Sequence, residues 1–248
     1  MNFRRDHAVL RILIRQRRAA RLAVAAIGGC IALAACGPIQ MGAAAIVGGQ
    51  RITTATLTTQ VSDLNRTYHA SGGKVQLGFP ASQMPQQVLA WLIRFRIGDE
   101  LASREGIIVT PGDIQRAIAA ITAQARQSSS GTSLTDLAVA NGLPPDLINS
   151  GLGRFEAITN ALVARLSGGS SPSSTAAQQA VDQEVSHAQC LAAKSLDIKI
   201  NPQFGRFDYS QLGIVASANT LSAPGPAASP SASPTASPSA TPQFSPSC

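Results

Sequence analysis

The chain is poor in histidine and cysteine, and the common nucleotide-binding and nucleophile motifs are missing from it. Each shortage excludes something. Histidine occurs three times, as His7, His69 and His187, which leaves little material for a histidine-based metal site or a catalytic triad. No Walker loop, no Gly-x-Ser-x-Gly elbow and no dinucleotide fingerprint can be found. Four cysteines, Cys30, Cys36, Cys190 and Cys248, are too few for a disulfide scaffold. The formal charge of +7 looks basic, but its distribution takes that meaning away. Seven of the 20 Lys and Arg side chains and one of the 13 acids lie before residue 36, leaving 13 bases against 12 acids. A nearly neutral remainder gives no support for nucleic-acid binding, which needs a basic patch on the folded domain.

Those first residues have the organisation of an export signal. Arg4, Arg5, Arg11, Arg15, Arg17, Arg18 and Arg21 make a strongly basic beginning, and residues 22–35 are uncharged and mostly apolar. That run is of signal-peptide length and shorter than the ~20 residues an untilted transmembrane helix needs. It ends in Leu33-Ala34-Ala35-Cys36-Gly37, which resembles the bacterial lipobox. The resemblance implies cleavage after residue 35, a diacylated (palmitate-type) Cys36 at the mature N-terminus, and an extracytoplasmic chain anchored to the cell membrane by lipid. The alternative is an ordinary secretory peptide that happens to hold a cysteine.

The far end is depleted in a different way. Residues 217–248 contain no charged side chain, and prolines recur at 226, 230, 234, 238, 242 and 246. That spacing excludes helix and leaves almost nothing to bury, so residues 216–248 read as an extended, disordered tail. Its Ser-Pro and Thr-Pro pairs suit either O-glycosylation or a plain solvated extension. Cys190 and Cys248 form the one bridge open to an oxidising compartment, but with one partner on such a tail both are expected to be free.

Between a tether at 36–43 and the tail, residues 44–215 are enough for one domain with a real core. Ala43 to Val47 reads as a strand that turns at Gly48-Gly49. Helices follow. Thr53 or Thr54 caps one carrying Leu57, Val61, Leu64 and Tyr68, and Pro85 opens a long one ending at Gly106. This long helix is apolar around most of its circumference and is expected to be the central one. Thr110-Pro111-Gly112-Asp113 starts the next, Ser133 to Ala140 is a short one, and Pro144-Pro145 starts another with Ile148, Leu152, Phe155, Leu162 and Leu166 in a stripe. After the Ser/Gly linker 167–174 comes a helix over 175–195, then Asp197-Ile-Lys-Ile200, which alternates like a short strand. The fold class is therefore mainly α: an irregular bundle of about six helices, closed by a two-stranded pairing of 43–47 with 197–200. Residues 201–208 read as an ordered turn ending the fold.

This order of elements, with "VGGQRITTATL", "REGIIVTPGDIQRAI", "NGLPPDLI" and "INPQFGRFD" at its joints, resembles the SurA N-terminal-type chaperone domain of the SurA/PrsA foldase family. The resemblance spans residues 44–208. It implies a helical module that holds unfolded or partly folded exported proteins. Many family members insert a parvulin prolyl isomerase domain between the last two long helices. Here only the eight-residue linker 167–174 occupies that place, and no folded domain of even ~50 residues fits there.

The function expected is thus a membrane-tethered, holdase-like lipoprotein without isomerase activity, needing no cofactor and no metal. The rival is an envelope lipoprotein that binds one specific protein partner or ligand on the same scaffold. Glu184-x-x-His187-x-x-Cys190 is the best metal-like spacing, but one copy falls short of a di-iron set, and a solvated helix face is the default. Phe79, Met84, Trp91 and Phe95 are adaptable enough to touch many clients. For Trp91 and Phe95 a core role is the simpler reading, and no client-binding residue is assigned.

Overall fold

The computed structural model describes residues 42–127, 132–170 and 174–216. The expected export signal, Cys36 with most of the expected tether, and the proline-rich tail lie outside them.

The described part opens with a hairpin. Strand β1 (Ala43–Val47) pairs antiparallel with β2 (Gln50–Thr53), joining Val47 to Gln50 and Ile46 to Arg51, with a bulge between Ala43 and Ala45. The two residues between the strands are Gly48 and Gly49, at φ 57° and 75°. Consecutive positive φ values are what a two-residue turn of matching twist requires. On its other edge β1 pairs antiparallel with β3 (Lys199–Ile200), setting Ala45 opposite Ile200 and Ile46 opposite Lys199. The sheet therefore has three strands in the order β2-β1-β3, not two. β2 escapes a reading by periodicity because Ile52 is its one buried residue.

The last strand is also shorter than its alternation implies. Asp197 sits at φ 44°, a left-handed conformation that ends the preceding helix, so extended pairing begins only at Lys199.

Six helices follow the hairpin: α1 (Thr54–Ala70), α2 (Met84–Glu105), α3 (Pro111–Gln127), α4 (Leu134–Ala140), α5 (Gly153–Leu166) and α6 (Thr175–Ser195). Side chains at their ends explain where several begin. Thr53, Ser133 and Ser174 accept from the main-chain N–H three residues on, at 3.0, 3.0 and 3.2 Å, which satisfies donors that have no partner inside the helix. α3 has a reciprocal cap: Asp113 N–H donates to Thr110 Oγ1, and Thr110 N–H donates back to Asp113 Oδ2.

The helix expected to open at Pro144-Pro145 is different. A π-helical turn, Ile148–Leu152, precedes α5. Phe95 crosses this turn so closely that a Cβ on Gly151 would lie 2.3 Å from its ring.

α2 is the central helix. Val88, Leu89, Ile93, Ile97 and Leu101 are at most 2% exposed and meet β1, Leu57 and Leu64 of α1, Ile158 and Leu162 of α5, and Ala192 and Ala193 of α6. A smaller cluster of Ala138, Leu143, Ile148 and Leu152 is covered in part by Trp91 and Phe95. Burial of apolar area at about 25 cal/mol per Å² is the main force holding such layers. No buried residue is polar or charged among the described residues. The ion pairs between α2 and α5, Arg154–Asp99 at 2.7 Å and Arg165–Glu105 at 3.5 Å, lie at the exposed rim, where such pairs contribute only ~0–1 kcal/mol each.

The chain then adds a second hairpin where the sequence indicates only a closing turn. β4 (Arg206–Asp208) pairs with β5 (Gly213–Val215), and half-buried Phe207, Tyr209, Leu212 and Ile214 lie against the main core. Tyr209 Oη accepts from Ile198 N–H at 3.3 Å, fastening this hairpin to the lead-in of β3.

Cys190 corrects another expectation. It is fully buried in α6 and disulfide-bonded, not free. It is the single cysteine among the described residues, so its partner lies outside them.

Candidate functional site

An open apolar groove lies between α3 and α5. Residues 107–109 connect α2 to α3 without helix, and their side chains alternate. Ile107 and Val109 pack onto the core while Ile108 is 89% exposed, the most exposed large apolar side chain described. Beside it the groove has a floor of Ala117 from α3 and Ala157 from α5, with Ala120, Ala161 and Ala164 along its sides. Positions 157, 161 and 164 share one helix face by their spacing. Because the side chains are only methyl groups, the trough is left unfilled, with a volume of about 500 Å³. Asp113 and Arg116 form an ion pair at its polar edge. Bonds from Thr110 hold the Asp113 carboxyl below its ordinary value, with Arg116 adding to the effect. A shallower apolar hollow on α3, lined by Pro111, Ile114, Ile118 and Asn149, measures about 530 Å³.

A second kind of site lies where α2, α5, α6 and the turn between β4 and β5 converge. This cavity of about 300 Å³ is lined by Arg94, Phe155, Ser186, Gln189, Ser210 and Gln211, among others. Its one cation stacks on an aromatic ring, with Arg94 Cζ 4.8 Å from the Trp91 ring centroid. Burial lowers the Arg94 guanidinium from its ordinary value and the charge of Glu156 opposes that shift, while burial raises the Glu156 carboxyl and Arg94 opposes it. An arginine remains cationic under such shifts.

The residues singled out in the sequence fall elsewhere. Met84 is buried in the main core, and Phe79 packs against it. Trp91 and Phe95 lie on the smaller cluster, their rings 5.8 Å apart. All four pack against apolar clusters of the fold. Glu184 and His187 face solvent while Cys190 points into the core, so one helix face does not gather them. Among the described residues no group of three possible ligands is close enough to hold a metal ion. No helix among them is long and apolar enough to cross a membrane.

Ile108 and the alanine groove escape a search for chemistry-bearing residues. The signal present in the sequence is three β-branched residues in a row, Ile107-Ile108-Val109, between a helix stop at Gly106 and a helix start at Pro111. A non-helical run of that kind turns alternate side chains to opposite sides.

Comparison with known proteins adds one positive finding. The family model described as SurA-like N-terminal domain matches residues 13–146, a stretch that includes β1, β2 and the first four helices and ends before α5. No curated protein and no solved structure gives a significant match. The match covers more than half of the 248 residues, and the observed helical architecture agrees with it. The chain belongs to the SurA-like N-terminal domain family, a chaperone-type module.

Proposed function

We propose that the protein is an extracytoplasmic holdase, tethered to the membrane through lipid on Cys36, which shields apolar segments of exported polypeptides and has no isomerase activity. The observation that carries this reading is the open groove between α3 and α5 with Ile108 at its edge. An exposed apolar trough with few polar groups fits many unfolded segments poorly and no single ligand well, which is what a holding surface requires. Burying one such side chain contributes about 1.5–3 kcal/mol, so each contact is weak and a held segment is readily released.

The lipid tether rests on Leu33-Ala34-Ala35-Cys36. The lack of isomerase activity rests on the connection between α5, which ends at Leu166, and α6, which starts at Thr175.

The convergent polar groups of the Arg94 cavity favour the second reading, a lipoprotein recognising one partner or ligand. One experiment separates the two. The chain lacking residues 1–36 is mixed at increasing ratios with several unrelated chemically unfolded exported proteins, and light scattering follows their aggregation. A holdase suppresses aggregation of all of them and loses that effect on Ile108→Asp. Suppression that ignores Ile108→Asp, or no suppression, defeats the reading.

A further inference from the structure

We infer that the cavity where α2, α5, α6 and the turn between β4 and β5 converge is a receptor for a carboxylate bearing a short apolar group, with Arg94 as its anchor. Its lining residues differ from those of the α3–α5 groove, so it does not rest on the holdase reading. Arg94 is the one charged side chain among the described lining residues. Half-buried at the middle of α2, it makes no hydrogen bond or ion pair with any described residue. Its partner is the Trp91 ring, whose centroid lies 4.8 Å from Arg94 Cζ. A ring face offers no oxygen acceptor, so the N–H donors of the guanidinium fork are left for another group. The charge of Glu156 reaches Arg94, yet the two form no ion pair. A cation drawn part-way out of water without a counter-ion favours an anion that fits beside it.

The rest of the lining sets the kind of anion. Gln189 of α6 and Gln211 of the turn bring side-chain amides that have no partner among the described residues, and an amide can donate to an oxygen of the ligand. The hydroxyls beside them are already committed: Ser186 donates to the Asp182 carbonyl at 2.8 Å and Ser210 to Asp208 Oδ1 at 2.6 Å. A single guanidinium fork flanked by amides matches the charge and shape of a carboxylate, whereas a phosphate dianion would keep an uncompensated charge beside one cation. Ile97, Phe155 and Leu212 make the remaining lining apolar. Leu212 is held at φ 48°, a left-handed conformation unfavourable for a bulky residue, and such positions gather at ligand sites. A volume of about 300 Å³ is at the small end for a ligand pocket and suits a carboxylate with one branched aliphatic group.

The test uses the full-length protein in dodecyl maltoside, an uncharged detergent, and reads the emission of Trp91, the protein's one tryptophan and a direct neighbour of Arg94. Titration calorimetry measures the same constants without that reporter. N-acetyl-leucine should bind saturably. N-acetyl-leucinamide, which lacks the charge, and acetate, which lacks the side chain, should each bind at least about tenfold more weakly. Arg94→Met keeps an apolar stem beside Trp91 and should weaken N-acetyl-leucine by about tenfold or more, and Gln189→Leu by about threefold. Circular dichroism checks that both variants fold, and Gln189→Leu decides if Arg94→Met does not. The proposal is overturned by no binding of N-acetyl-leucine at about 10 mM, by equal binding of its amide, acetate or inorganic phosphate, or by unchanged binding in the folded variants. A short peptide without tryptophan that ends in leucine separates the two sources of such a carboxylate. Peptide binding lost on amidation of its C-terminus assigns the cavity to polypeptide ends, and binding of N-acetyl-leucine without the peptide assigns it to small organic acids. Peptide binding that survives amidation overturns the proposal.

Discussion

Trp91 and Asn141, 50 residues apart in sequence, are joined by one hydrogen bond: the indole Nε1–H of Trp91 donates to the Asn141 carbonyl oxygen at 2.9 Å. Asn141 is the residue on which α4 ends, so this bond ties the end of the short helix to the middle of the central one. Trp91 also covers the smaller cluster and supports the Arg94 guanidinium. Ring and N–H are thus both engaged within the fold.

Trp91→Phe keeps most of the apolar cover and removes the donor. The lost bond should cost about 0.5–1.5 kcal/mol, and the smaller ring adds to that. Urea denaturation followed by circular dichroism checks this, since the variant lacks the protein's one tryptophan. Unchanged stability would mean that the bond to Asn141 is replaced by water without loss.

The crossing of α2 over α5 supplies a sharper test. A Cβ on Gly98 would lie 2.7 Å from Phe155 Cδ2, closer than carbon atoms pack. Gly98→Ala should therefore destabilise by about 1–3 kcal/mol, even though alanine is the better helix former. Phe155→Leu in the same chain should return part of that loss. If Gly98→Ala alone stabilises the protein, the two helices do not approach as closely as described.

What could be read from the sequence follows from how each element is encoded. α2 announces itself by Pro85 at its start, Gly106 at its end and apolar residues on nearly every side. α3 is equally plain from Thr110 to Asp113. The strands are harder, because β3 has two residues and β4 and β5 three each, too short for a period of two to show. β2 carried a usable signal in Gly48-Gly49, whose pairing with a short strand on either side marks a hairpin. The groove was illegible for another reason: alanine at 117, 157 and 161 reads as helix propensity, and only the packing of α3 on α5 turns those methyl groups into a trough.

Acid should weaken the domain partly through the cap of α3. Asp113 has a lowered pKa because Thr110 donates to its carboxylate through both Oγ1–H and N–H, with Arg116 nearby. A carboxyl whose folded pKa is depressed stabilises the fold above its unfolded value of about 3.9 and loses that contribution as pH falls through the folded value. Asp113→Asn should flatten the acid side of the stability profile. Glu156 works in the opposite sense: burial raises its pKa and Arg94 only partly offsets this. Its contribution favours the fold at low pH and fades as pH rises through the raised value, so Glu156→Gln should stabilise the protein most near neutrality. Urea midpoints from pH 3 to 7 for the three proteins decide both signs.

The chain after α6 provides the strongest test of the architecture. β1 is the middle strand, and without β3 it loses the pairing at Ala45 and Ile46. It also loses the bonds from Asn201, whose N–H donates to the Ala44 carbonyl at 2.9 Å and whose Nδ2 donates to the Ala43 carbonyl at 3.2 Å. Ala43, Ala44 and Ala45 are among the most buried residues of the domain, so their carbonyl oxygens have little access to water. Each buried polar group left unsatisfied costs on the order of 1–3 kcal/mol. The same cut removes Phe207, Tyr209, Leu212 and Ile214 from the face of the core. Against a total of only ~5–15 kcal/mol for a typical domain, truncation after Ser195 should abolish cooperative melting or lower it steeply. A chain cut after Val215 retains β3 and the β4–β5 hairpin and should melt cooperatively. Equal and equally cooperative melting of the two would mean that β1 is held by β2 alone and that the segment after α6 contributes nothing to the fold.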